Sequence, residues 1–97
     1  MGATGTVNID FGAFPGKSDT SVAVTGQGSI VAGSLVEAWL RPVATADHTA
    51  DEHLVETLNI KAGNIVAATG FTIYGLNSGQ VGNTRLYGLW TTAWAWN

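Results

Sequence analysis

Between Arg85 and Trp96 the chain alternates without a break. Leu86, Gly88, Trp90, Thr92, Trp94 and Trp96 fall on one side of an extended backbone, and Tyr87, Leu89, Thr91, Ala93 and Ala95 on the other. A period of two belongs to a pleated strand and cannot line one face of a helix. The same period recurs upstream. Val7, Ile9 and Phe11 alternate with polar neighbours over Gly5 to Phe11, and Thr20, Val22 and Val24 do so over Asp19 to Thr25. From Ser34 to Arg41, Val36, Ala38 and Leu40 oppose Leu35, Glu37, Trp39 and Arg41. Two further strands are predicted over Asn64 to Ala68 and Gly70 to Leu76, the latter with Phe71, Ile73 and Gly75 opposing Thr72, Tyr74 and Leu76.

Breakers separate these runs. Pro15-Gly16 and Gly26-Gln27-Gly28 supply turns, and Pro42, which lacks an N–H, stops its strand or marks an edge. Asn77 to Asn83, rich in Gly, Asn and Ser, is predicted to be an exposed loop. The result is one all-β domain over residues 1–97, an antiparallel β-sandwich or jelly-roll-like barrel of about 6–8 short strands. Ile9, Val22, Val24, Leu40, Ile60, Ile65 and Ile73 are the expected core.

One segment departs from the pattern. Ala44 to Leu58 holds four of the seven acids (Asp47, Asp51, Glu52, Glu56) and both histidines, His48 and His53. Thr49-Ala50-Asp51-Glu52 fits a helix capping box, and His53 to Ile60 also admits a strand reading. The segment is expected to be a solvated polar loop leading into a strand. It is the best metal candidate by ligand type, yet His48 and His53 are five apart, which matches neither the helical nor the strand spacing of zinc ligands. It also lacks the turn glycine of a calcium loop. No metal and no cofactor is expected.

Catalysis has little to stand on. No serine sits in a Gly-x-Ser-x-Gly elbow, and Gly26-Gln27-Gly28 with Gly33 fits neither a dinucleotide fingerprint nor a phosphate loop. A 97-residue chain also offers little wall for a substrate cleft. An enzyme is not expected.

Charge points the same way. Only 11% of residues are Asp, Glu, Lys or Arg, where about 25% is usual. A surface rich in Gly, Ala and Thr suits a protein partly covered by others, because burying such groups costs less than burying ions. The four basic residues (Lys17, Arg41, Lys61, Arg85) are scattered, so no phosphate-tracking patch is expected and nucleic acid is excluded as a direct partner. No run of 18 apolar residues and no leader pattern at Met1 to Phe14 occurs, so no membrane partner and no standard export are expected.

The tryptophans are the candidate contact residues. Three of the four fall within the last eight positions, and Trp is favoured at interfaces because it covers much area while keeping a polar N–H. Trp96, Trp94, Trp90, Trp39 and Tyr87 are the expected interface. Trp96 and Trp94 are the anchors of a C-terminal strand that lacks the Lys, Pro or bulge guarding most sheet edges.

Val36-Glu37-Ala38-Trp39-Leu40-Arg41-Pro42, the polar Ala46 to His53 stretch, Gly70-Phe71-Thr72-Ile73-Tyr74 and the run from Leu86 to Thr91 resemble small virion structural proteins of tailed bacteriophages. The resemblance spans about residues 30 to 96 and is one of layout, with no diagnostic signature. It implies a capsid decoration (cement) protein or a fibre-type β-domain, without catalytic residues. The implied partner is the major capsid protein or another virion protein, with self-association as dimer or trimer. The implied location is the virion, assembled in the host cytoplasm. Taken as a chain starting at Met1, it is expected to match a decoration protein better than a fibre module. A carbohydrate- or receptor-binding β-module, using exposed Trp and Tyr beside Asn and Asp, is the alternative.

Overall fold

The computed structural model describes residues 2–14, 16–55, 58–77 and 85–97. Six strands and one short helix follow in the order β1 (Ala3–Asp10), β2 (Asp19–Val24), β3 (Val36–Leu40), α1 (Ala50–Val55), β4 (Leu58–Val66), β5 (Gly70–Asn77) and β6 (Leu89–Trp96). They form two three-stranded antiparallel sheets, ordered β1-β6-β3 and β2-β5-β4. The fold is an all-β sandwich. Of the loop expected over Asn77 to Asn83, Asn77 ends β5 and the rest lies outside the described residues.

The alternation in the sequence becomes the inside and outside of each sheet. Ile9 and Phe11 point inward from the β1 end, and Val24, Phe71 and Ile73 from β2 and β5, meeting Trp90, Trp94 and Trp96 of β6 in one core. Burying three indoles contributes about 4–6 kcal/mol each as an upper bound, which makes β6 the main source of core area. Among the expected core positions Ile9, Val24 and Ile73 are buried, whereas Val22, Leu40, Ile60 and Ile65 are only partly covered. Those four lie on the edge strands β2, β3 and β4, but an edge strand alone does not expose a residue, since Ile9 and Val24 are buried on the edge strands β1 and β2.

β6 is not an edge. It pairs with β1 from Ala3↔Trp96 to Asp10↔Leu89, and with β3 from Val36↔Trp96 to Leu40↔Thr92. The missing guard residues therefore reflect a central strand, whose backbone groups are already paired on both sides. The Thr92 hydroxyl, fully buried, donates to the Val7 carbonyl at 2.6 Å, so the one polar side chain on the tryptophan face is satisfied. Gly88, with φ of 74°, kinks the chain just before β6, and the strand therefore starts at Leu89 rather than Arg85.

The predicted strand over Asn64 to Ala68 is the end of a longer one. β4 runs from Leu58, shifts register between Gly63 and Val66, and turns back into β5.

Candidate functional site

The C-terminal tryptophans do not face solvent. Trp90, Trp94 and Trp96 are 2%, 8% and 7% exposed, and the Trp96 indole N–H donates inward to Gln27 Oε1 at 2.8 Å. Phe71 packs edge-on against Trp94 at 5.5 Å. These three residues, expected as contact anchors, are core residues of the single chain. Trp39 and Tyr87 remain exposed, but they do not form one surface. Trp39 pairs across the sheet with Ala93, six positions along from Tyr87, a separation of roughly 20 Å on an extended strand.

The segment expected to be a solvated loop is an anchored cap. Thr49 and Glu52 close the capping box in both directions, with Glu52 Oε1 accepting from the Thr49 N–H at 2.8 Å and the Thr49 hydroxyl accepting from the Glu52 N–H at 3.2 Å. That starts α1. His53 on α1 and His48 in the turn just before it both point inward, and each is only 4% exposed. Trp90 is the reason. His48 stacks on its ring at 3.7 Å, and His53 meets it edge-on at 4.9 Å.

Hydrogen bonds fix both rings. His53 Nδ1–H donates to the Thr49 carbonyl at 2.7 Å, which leaves Nε2 to accept the Thr91 N–H at 3.0 Å. His48 Nε2–H donates to the Tyr87 carbonyl at 2.6 Å, and its Nδ1 faces Glu52 Oε2 at 3.1 Å, an ion pair when the ring is protonated. The Tyr87 carbonyl also accepts the Trp90 indole N–H at 3.2 Å, so both its lone pairs are used. The backbone N–H of Thr49, then the His48 ring, hold the Glu52 carboxyl below its ordinary range. All four imidazole nitrogens thus have protein partners. Among the described residues no group of three His, Cys, Asp or Glu side chains converges as a metal set would.

Two features face outward. The first is a cleft of about 470 Å³ at the Leu89 end of β6. Phe14, 78% exposed, stands edge-on to Tyr87 at 5.5 Å along its rim. Asp10 and Asp47 flank it, each with one carboxylate oxygen on a backbone N–H: Gly12 for Asp10 and Leu89 for Asp47, both at 2.8 Å. An aromatic edge beside two half-used carboxylates can hold a polyhydroxylated ring or a cationic group.

The second is the outer face of β3. Leu35, Glu37, Trp39 and Arg41 are all exposed there, Leu35 at 74% and Trp39 at 45%. Beside Glu37 and Trp39 the adjacent strand presents Ala95 and Ala93, with Asn97 beside Leu35 and Thr91 beside Arg41, so the four side chains stand as a ridge above small neighbours. Leu35, Glu37 and Arg41 were not among the expected contact residues. The strict alternation about Trp39 carried the signal, since it puts all four on one face.

No protein-family model, no curated protein and no solved structure matches this chain. Function therefore rests on the surface itself.

Proposed function

We propose that this chain is a non-catalytic structural protein of a tailed-bacteriophage virion, a capsid decoration protein that binds and stabilises the shell. The observation that carries this reading is the character of the outer surface. Phe14, Leu35 and Leu54 are each more than two-thirds exposed, and Trp39 and Tyr87 more than one-third, on a chain in which only 11% of residues are charged. Large apolar side chains held out into water by a well-packed sandwich mark surfaces that a partner covers. The likeness in layout to phage virion proteins supplies the setting. The buried indoles redirect the reading from the C-terminal strand to Trp39, Tyr87 and their neighbours.

The cleft between Phe14, Tyr87, Asp10 and Asp47 favours the alternative, a carbohydrate- or receptor-binding module, because it sets aromatic rings beside carboxylate acceptors. The two readings separate in one experiment. Purified protein is mixed with undecorated capsids and, in parallel, spread on a glycan array. Saturable capsid binding with a raised capsid melting temperature supports decoration. Glycan binding abolished by Phe14→Ala, with no capsid binding, supports the module.

A further inference from the structure

We propose that two copies of this chain form a two-fold dimer by packing their β3 ridges face to face and antiparallel, centred on Trp39. The ridge reads apolar, acidic, aromatic, basic: Leu35, Glu37, Trp39 and Arg41 at successive outward positions. Glu37 and Arg41 stand two residues to either side of Trp39. A two-fold axis through Trp39 therefore sets Glu37 of each copy against Arg41 of the other and brings the two indoles together. An isologous interface requires this symmetry, because one patch must complement itself.

Three observations support the fit. Glu37 and Arg41 are exposed, and neither has an ion-pair partner among the described residues, so both charges are free to pair across the axis. A hollow of about 260 Å³ lined by Leu35, Glu37 and Ala95 lies beside the ridge, placed to take the Arg41 side chain of the second copy next to Glu37. Trp39, at 45% exposure, is a large apolar group that the chain leaves half in water. Covering it between two copies offsets the ordering cost of a small interface, as central aromatic residues do.

Pairing by charge also defines the orientation. A parallel apposition would set Glu37 on Glu37 and Arg41 on Arg41, which is repulsive. The antiparallel arrangement alone satisfies both. The inference deepens the assembly reading by naming a second copy as a partner, and it rests on that reading for its setting only, since dimerisation is measured without any capsid.

The test is sedimentation velocity on the full chain and its charge variants, with circular dichroism to confirm that each is folded. Wild type is expected to be a dimer in the micromolar range. Glu37→Arg or Arg41→Glu alone creates two like-charge contacts per dimer, and each is expected to weaken association at least about tenfold. The double exchange Glu37→Arg/Arg41→Glu is expected to restore it. A monomeric or trimeric wild type, single variants that associate as wild type, or a double exchange that fails to rescue would each overturn the proposal. Capsid binding is scored on the same samples. Its absence alongside a rescued dimer would remove the shell reading and leave the dimer standing.

Discussion

The His48 imidazole lies flat on the Trp90 indole, with ring centroids 3.7 Å apart and planes 19° from parallel. This contact joins the turn that leads into α1 to β6, the central strand of its sheet, and His53 on α1 locks it by accepting the Thr91 N–H. Removing the His53 side chain strands the buried Thr91 N–H and empties its place against Trp90, while the Thr49 carbonyl keeps the His53 backbone N–H. His53→Ala is therefore expected to cost about 2–4 kcal/mol. Urea unfolding followed by Trp fluorescence measures it, and a loss under about 0.5 kcal/mol would show that the cap is not anchored as described.

Glu52 gives the cap a pH dependence of defined sign. Its folded carboxyl is held below the ordinary range, by the Thr49 N–H first and His48 next. Its contribution is thus fully present above the unfolded value and is lost as pH falls through the lower folded one. Thermal melts of wild type and Glu52→Gln should diverge at neutral pH and converge in acid. Curves offset equally at every pH would contradict the assignment.

Gly5 sits under the Trp94 ring. A Cβ there would lie 2.4 Å from Trp94 Cζ2, and the indole cannot retreat because Phe71 packs against it. Gly5→Val is expected to destabilise by about 1–3 kcal/mol through overpacking. A urea midpoint unchanged from wild type would mean that Trp94 has room to move.

Trp96 and Trp39 now exchange the roles that their positions in the chain suggest. Trp96→Ala removes a buried indole and its bond to Gln27, at an expected cost of about 3–5 kcal/mol. Trp39→Ala, on the outer face of an edge strand, should change stability by less than about 1 kcal/mol while weakening self-association. Chemical denaturation of the two variants side by side distinguishes them. A stable Trp96→Ala protein would return that residue to the surface.

These outcomes trace what the residue pattern could and could not carry. Alternation assigns each side chain to a face, and the Thr49 to Glu52 spacing marks a helix start, so the inward Ile9, Phe71 and Ile73 and the origin of α1 were legible. Alternation says nothing about which strands are neighbours. The run from Leu86 to Trp96 looked like an unguarded edge, and only its pairing with both β1 and β3 makes it the centre of a sheet. The histidines, expected in a solvated loop, are buried for a related reason. Their burial depends on Trp90, some forty residues away, which no local spacing announces. The β3 ridge was readable as a face, but its importance emerges only once the other tryptophans are known to be inside.

The proposal that this sandwich decorates a phage shell is tested most directly by quantitative mass spectrometry of gradient-purified virus particles from lysates in which the protein is abundant. A decoration role predicts the protein in the particles at copy numbers comparable to the shell protein, released only with shell disruption. Its absence from purified particles, in lysates where the protein is abundant, would rule out a place in the coat.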